Sequence, residues 1–323
     1  MWEESLVLTT NLNSFNLSTG GPSLLALPVG KDQVTVVIPV KDEELAISSV
    51  IEELLLEGYS NILVVDGYST DKTLQILGEK KKSVRLVSQH GGGKTGAVKT
   101  AIENVTTPYL LILDGDYTYP AKDIQRLLNH CVNYAQVIGV RDRKNISSVH
   151  RLGNWVITRT FNLLFGAGLS DVCSGMYLLN TEVAKHLELS SKGFITEVEI
   201  AAQTAANYNV TEVPIGYRPR VGKGKLSTWN GFGILSAVIR LAWKHNPLLL
   251  FSTIASLAMI PALAILGWVL FRQYTAGVWH SGWALMGTLM LLFASQAIAI
   301  ASVSALVKRS EQRITHRIAR LKS

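Results

Sequence analysis

The strongest constraint on this chain's fold is a series of four short apolar segments. They are Val34-Thr35-Val36-Val37-Ile38-Pro39, Ile62-Leu63-Val64-Val65-Asp66, Val84-Arg85-Leu86-Val87 and Leu110-Leu111-Ile112-Leu113-Asp114, separated by turn residues and helical patterns. Branched apolar runs of this length read as buried strands, and strands alternating with helices predict an α/β fold with a mostly parallel sheet covered on both faces. Ligands of such sheets bind beyond the carboxyl ends of the strands. Asp42, Asp66, Lys94, Asp114 and Asp116 all fall there. The fourth run ends in Asp114-Gly115-Asp116, two carboxylates one residue apart, which can both turn toward one divalent cation.

The turn Gly67-Tyr68-Ser69-Thr70-Asp71 offers Ser and Asp as caps for a helix around Thr73 to Leu77. Gly91-Gly92-Gly93-Lys94-Thr95-Gly96 opens another helix and has the look of a phosphate-cradling P-loop. That motif requires Gly at position 88, which is Ser, so a P-loop NTPase is the remote alternative.

These segments together resemble the nucleotide-binding half of family-2 inverting glycosyltransferases of the GT-A (Rossmann-like) fold. The family's Pro-x-x-Asn-Glu corresponds to Pro39-Val40-Lys41-Asp42-Glu43, with Asp in place of Asn. Its Asp-Asp-Gly-Ser-x-Asp-x-Thr corresponds to the stretch from Asp66 to Thr73, which keeps the first Asp, Ser69, Asp71 and Thr73. Gly93-Lys94-Thr95-Gly96-Ala97 matches Gly-Lys-Gly-x-Ala, and Asp114-Gly115-Asp116 matches the metal motif. The resemblance implies that Pro39, Asp42, Glu43, Asp66, Ser69 and Lys94 serve the nucleotide of a sugar donor. It implies that Asp114 and Asp116 hold Mg²⁺ or Mn²⁺.

Farther along, Val137-Ile138-Gly139-Val140-Arg141 reads as a strand delivering Arg141, followed by Arg143, Lys144 and Arg151. A helix from Arg151 to Phe165 is apolar and almost free of acids, so it either lies in a membrane interface or faces the core. Asp171-Val172-Cys173-Ser174-Gly175, the segment from Gly193 to Glu199, and the cationic loop from Arg218 to Leu226 complete the region. It resembles the family branch of dolichyl-phosphate mannose synthases and polyprenyl-phosphate glucose synthases. That likeness implies that Arg141, Arg151, Asp171, Ser174, Arg220 and Lys225 surround a lipid phosphate and a nucleoside diphosphate. Gly224 replaces a Ser of the branch motif, and Thr118 stands where mannose synthases often carry Gln.

A phosphate monoester suits such a site chemically. Its second pKa is about 6, so it is largely dianionic near neutrality and attacks without a strong base. It needs cations to hold it in line, which arginine forks supply. Asp116 carries the catalytic cation, and Asp171 and Glu197 are expected either to orient sugar hydroxyls or to assist proton transfer. Arg143 and Lys144 read as solvated.

After this region the chain changes solvent. Trp229 to Trp243 reads as an interfacial helix, and Leu248 to Phe271 and Trp283 to Val307 are uncharged runs long enough to cross ~30 Å of hydrocarbon. Pro261 kinks the first, and a loop with Arg272 and Tyr274 joins them. Basic residues flank the pair on the outer sides, which predicts a hairpin with both flanks and the catalytic domain cytoplasmic. The net charge of +7 is concentrated in the last residues, from Lys308 to Lys322, which read as a lipid-headgroup contact at about 1 kcal/mol per cation and not as a nucleic-acid site. Cys131 and Cys173 share no metal or disulfide spacing, and the seven histidines are scattered. The opening residues lack a signal peptide's basic and apolar regions.

The expected organisation is therefore a poorly ordered leader (1–31), a GT-A domain (32–227), an interfacial helix (228–246), two transmembrane helices (247–307) and a basic cytoplasmic tail (308–323). The expected reaction is metal-dependent, inverting transfer of one sugar to a polyprenyl (dolichyl) phosphate. The donor is GDP-mannose first, then UDP-glucose or UDP-GlcNAc. A transferase acting on a lipid-linked saccharide or polysaccharide is the alternative, although the Gln-x-x-Arg-Trp motif of processive synthases does not occur.

Overall fold

The computed structural model describes residues 29–191, 195–222 and 230–322. The leader before residue 29, Gly193 and Phe194, Lys225 and the side chains of the basic tail lie outside the described residues.

The chain runs β1 (Val34–Val40), α1 (Ile47–Leu56), β2 (Ile62–Asp66), α2 (Thr73–Glu79), β3 (Arg85–Ser88), α3 (Gly93–Asn104), β4 (Tyr109–Leu113) and α4 (Ile124–Leu128). It continues with β5 (Gln136–Arg141), α5 (Ser148–Phe165), β6 (Met176–Asn180), α6 (Thr181–Lys185), α7 (Thr196–Asn207), β7 (Val210–Ile215), α8 (Asn230–His245), α9 (Pro247–Ala276) and α10 (Ser281–Lys322). The strands form one seven-stranded sheet in the order β3-β2-β1-β4-β6-β5-β7. All four strands read from the sequence pair in parallel.

The sheet departs from a purely parallel one at β6, which is antiparallel to both β4 and β5. That reversal shapes the site. Leu113, the last residue of β4, sits opposite Met176, the first of β6. Ser174 and Gly175, which enter β6, therefore arrive beside Asp114 and Asp116, which leave β4. On the other side β7 runs parallel to β5 with Arg141 opposite Ile215, so the chain leaving β7 passes over the same edge. Gly139 is required by that pairing, since a Cβ there would collide with the Ile215 side chain.

Alternate strand residues feed two cores. One face carries Val37, Leu63, Val65, Leu110 and Ile112 under α3, α5, α7 and α8. The other carries Val36, Ile38, Val64, Leu111 and Leu113 under α1 and α4. This period of two on both faces is what continuous branched runs such as Leu110 to Leu113 encode.

α5 begins at Ser147, whose hydroxyl caps the His150 N–H, and ends at Gly166 with φ +66°. One side of it faces the core, as one of the two readings expects, and the other side is exposed. Ile157, Phe161, Leu164 and Phe165 are buried, whereas Val149, Leu152, Trp155 and Leu163 are exposed on the opposite side. α8 buries Ile234, Ala237, Val238, Leu241 and Ala242 against α5 and α7, and leaves Ile239 and Trp243 outward.

α9 and α10 pack along each other through small residues, with Ala255, Ala262, Ala294, Ala297 and Ala301 buried and Gly287 against Leu266. Two stretches, Pro247–Ala276 and Ser281–Val307, are long and apolar enough to cross a membrane. Pro261 is accommodated inside α9 without ending it. Arg272 and Tyr274 lie within α9 and not in a loop, because the helix continues to Ala276; only residues 277–280 join the pair.

Candidate active site

The loops after β1 and β2 are laced into one rigid rim. The Asp42 N–H donates to Ser69 Oγ at 2.9 Å, and the Asp42 carboxylate accepts from the Thr70 N–H at 2.6 Å. The Glu43 N–H donates to Thr73 Oγ1 at 2.9 Å. Asp66, buried at the end of β2, accepts from the N–H groups of Tyr68 (2.9 Å) and Ser69 (3.2 Å). Among the described residues, three non-glycine residues adopt positive φ, Asp42 (50°), Tyr68 (61°) and Tyr117 (65°), and all three stand in loops at the carboxyl ends of strands. Backbone strain of roughly 1–3 kcal/mol per residue persists only where the surroundings impose it, and it clusters at functional sites. Thr70 holds Asp42 below the usual carboxylate range through its backbone N–H, against a smaller effect of burial.

Two connected charge clusters sit over the end of β4. In the first, Lys94 Nζ, on the first turn of α3, bridges Asp114 Oδ1 and Glu197 Oε1 on α7. Burial opposes the Lys94 charge, but Asp114 and Glu197 outweigh it and hold the ammonium well above the ordinary lysine value. Burial pushes Glu197 up, Lys94 pulls it back, and Asp114 pushes it up again; the net direction is upward. The Tyr177 hydroxyl is buried beside this cluster without a hydrogen bond. A Cβ at Gly175 would run into the Asp114 carboxylate, so only glycine fits at that closest approach of β6.

In the second cluster, Asp116 Oδ1 accepts from Thr118 Oγ1 at 2.5 Å and Asp116 Oδ2 pairs with Arg220 Nη1 at 2.9 Å. Arg220 Nη2 reaches on to Glu43 at 2.6 Å, while its Nε is buried without a partner. Burial pushes Asp116 up and the Asp114 charge pushes the same way, against Thr118 and Arg220. The net direction for Asp116 is upward.

That donor set fits a divalent ion such as Mg²⁺ or Mn²⁺. Hard carboxylate oxygens suit those metals, which bind through one or two protein carboxylates and complete their shell with water and substrate phosphates. No cluster of three or more His, Cys, Asp or Glu capable of holding a metal occurs among the described residues.

Arg141 stands apart from these clusters. Its Nε and Nη2 dock on Asp171 at 2.6 and 2.7 Å, and its guanidinium lies over the Tyr217 ring at 5.4 Å from the centroid. Arg151 is exposed on α5 and donates to Ser148 Oγ at 3.3 Å; with Arg143, Asn154, Trp155 and Ser170 it lines a groove that also reaches Asp171. Arg143, expected to be solvated, is therefore part of that groove. Ser174 turns its hydroxyl onto its own turn, toward the Met176 backbone. Pro39, the last residue but one of β1, is half-buried. Cys173 is pushed up to about 12 by burial and by Asp171, so it is a thiol and no nucleophile near neutrality.

Several contacts at the site carried no signal in the sequence. Arg218 forms a two-pronged pair with Glu53 (2.7 and 2.8 Å) and covers the Tyr117 ring at 4.7 Å. Tyr119 OH accepts the Gly175 N–H at 2.7 Å and packs edge-on to Tyr217. Only the fold reveals the partner of Glu53, 165 residues away.

A mixed sheet of this order, with acidic residues leaving β4 beside an antiparallel entering strand, defines a GT-A glycosyltransferase. The model described as "Glycosyl transferase family 2" matches residues 35–187. Glycosyltransferase AglJ of Haloferax volcanii is 30% identical over 286 residues, 85% of this chain and 94% of that protein. A protein named dolichyl-phosphate hexose transferase, from the same organism, is 30% identical over 207 residues, 62% of this chain and 89% of its own length. Glucosyl-3-phosphoglycerate synthase of Mycobacterium tuberculosis, solved with Mn²⁺, UDP-glucose and phosphoglyceric acid, shares the fold at TM-score 0.55 and 18% identity, over 65% of this chain and 79% of that one. The chain belongs to glycosyltransferase family 2, and the P-loop alternative is set aside.

Proposed function

We propose that the protein transfers one sugar from a nucleoside diphosphate donor to a polyprenyl phosphate at the cytoplasmic face of a membrane, with inversion at the anomeric carbon. The observation that carries this reading is the union of an acidic site with an exposed apolar face beside two long apolar helices. α5 starts at the Arg151 groove, packs on α8 and α9, and turns Val149, Leu152, Trp155 and Leu163 outward beside two helices long enough to span a bilayer. A lipid-borne phosphate would enter along that face. The named relatives add support: one is called a dolichyl-phosphate hexose transferase, and the structural neighbour binds a UDP-sugar with Mn²⁺.

In this reading residues 32–227 carry the chemistry, 228–246 lie at the interface, 247–307 cross the bilayer and 308–323 return to the cytoplasmic leaflet. Pro39, Asp42, Glu43, Asp66, Ser69 and Lys94 line the nucleotide side, with Ser174 shaping the turn beside Asp114. Asp114 and Asp116 would hold the divalent ion, which when bound supplies charge neutralisation to the departing diphosphate. Arg220 comes from the segment after β7 and can exchange Glu43 and Asp116 for diphosphate oxygens; Lys225, five residues on in the sequence, would join it there. Arg141 and Arg151 hold the acceptor phosphate, whose oxygen attacks the anomeric carbon opposite the leaving group while the C–O bond to the nucleoside diphosphate breaks. A dianionic phosphate requires no proton removal, so no general base is assigned. Glu197 acts by fixing Lys94 against Asp114.

The test is to incubate the purified protein with a short polyprenyl phosphate, Mg²⁺ and a panel of GDP- and UDP-sugars, and to weigh the lipid product. A glycolipid heavier by one hexose or N-acetylhexosamine is expected from one donor. No glycolipid from any donor would shift the reading to a lipid-linked saccharide acceptor.

A further inference from the structure

We infer that Glu212 and Asp171 form a relay that fixes the orientation of Arg141, so that both act as positioning residues and neither touches the sugar. The inference rests on the phosphate-acceptor reading above.

A guanidinium can dock carboxylate or phosphate on two edges, the Nε–Nη2 side and the Nη1–Nη2 end. Asp171 occupies the first. Its Oδ2 accepts from Nε at 2.6 Å and its Oδ1 from Nη2 at 2.7 Å, and Oδ2 also faces the Arg141 backbone N–H at 3.4 Å. With both oxygens committed and the residue only 6% exposed, Asp171 is built as a holder for the arginine, not as a base for a hydroxyl. Nη1 takes no part in the pair with Asp171 and is the donor that would meet an incoming anion. Tyr217 lies against the guanidinium face, so Asp171 fixes the group within its plane and the ring limits tilt out of it.

Asp171 itself stands in the irregular connection between α5 and β6, where Asn162 of α5 holds the Leu169 backbone. Glu212 holds the next two residues from β7. Its two carboxylate oxygens both accept the Ser170 N–H at 2.7 Å, and Oε1 also accepts the Asp171 N–H at 3.0 Å. Glu212 is opposite Ile138 in the parallel pairing of β5 and β7, and the same strand β5 ends three residues later at Arg141. The contacts therefore close a ring: β7, Glu212, the 170–171 backbone, the Asp171 carboxylate, Arg141, and back through the β5–β7 ladder. A flexible arginine tied into a closed ring is already in its binding orientation when the phosphate arrives, so less ordering cost is charged against acceptor binding.

The full-length protein in detergent tests this with Asp171→Asn, Glu212→Gln, Glu212→Ala and Arg141→Lys. The wild type is assayed first: if it forms no glycolipid from polyprenyl phosphate with any donor, the acceptor reading fails, whatever the relay does. With an active wild type, Asp171→Asn is expected to raise the acceptor KM about tenfold while donor KM stays within about twofold. Glu212→Ala should shift acceptor KM in the same direction by less, with partial rescue in Glu212→Gln. On an Arg141→Lys background, which lacks the fork, Asp171→Asn should add no more than about twofold. The relay is overturned if Asp171→Asn lowers kcat with both KM values unchanged, or if its effect multiplies with that of Arg141→Lys. It is equally overturned if both Glu212 variants keep the wild-type acceptor KM. Thermal melting identifies any variant that fails to fold; should Asp171→Asn do so, the two Glu212 variants decide.

Discussion

Asp116 concentrates the chemistry at the smallest scale. Its Oδ1 is held by Thr118 and its Oδ2 by Arg220, while burial and the Asp114 charge both resist its ionised form. An ionised carboxylate kept in such surroundings contributes little to stability, so its retention points to binding. Asp116→Ala is expected to cut turnover by roughly a hundredfold or more and to leave the thermal midpoint close to wild type. Transfer near the normal rate by a folded variant would remove Asp116 from the metal assignment. Lys94 differs in kind. It joins Asp114 to Glu197 in a buried cluster, so Lys94→Met strands two carboxylates and is expected to destabilise the protein by about 3–5 kcal/mol, read by chemical denaturation. A Lys94→Met midpoint equal to the wild type would show that the cluster does not hold the fold.

Elements position these residues, and here the sequence was legible unevenly. β1, β2, β3 and β4 could be read because branched runs between turn signals have few other uses, and their acidic ends marked the edge that faces the ligand. β6 was not read, because Met176 to Asn180 follows directly on the Asp171–Gly175 motif with no turn signal of its own; its direction depends on pairing with β4, which local pattern does not carry. Likewise Arg218 and Glu53 show no local sign of meeting, although their pair ties α1 to the chain leaving β7. Arg218 holds the Glu53 carboxyl below its ordinary value, chiefly by hydrogen bonding and against burial. A depressed carboxyl stabilises the fold above its unfolded pKa of about 4.3 and loses that contribution as pH falls through the lower folded value. Wild type should therefore exceed Glu53→Gln in stability at pH 7, by no more than about 1 kcal/mol after solvent screening. The gap should close as the pH falls below about 4. A gap independent of pH would mean that Arg218 does not select the charged form.

At the scale of the whole molecule, the soluble sheet, the outward face of α5 and the α9–α10 pair lie in one continuous packing arrangement, since α5 and α8 both touch α9. In the proposed reading, the α9–α10 pair would bring the acidic site to a bilayer surface, where a phosphate on a lipid could reach Arg141 and Arg151. Leu152→Glu places a charge on the outward face without entering the core, as Leu152 is exposed. It is expected to raise KM for a long-chain acceptor in vesicles by about tenfold, the equivalent of one buried apolar side chain, while a short-chain acceptor in detergent is used normally. Equal losses with both acceptors would contradict the membrane contact. The central claim, that the attacking group is a lipid phosphate, is tested most directly by offering the same enzyme and donor two acceptors, polyprenyl phosphate and the matching free polyprenol, and weighing the products. Glycolipid is expected from the phosphate alone; transfer to the free alcohol at a comparable rate would contradict the arginine-held phosphate acceptor.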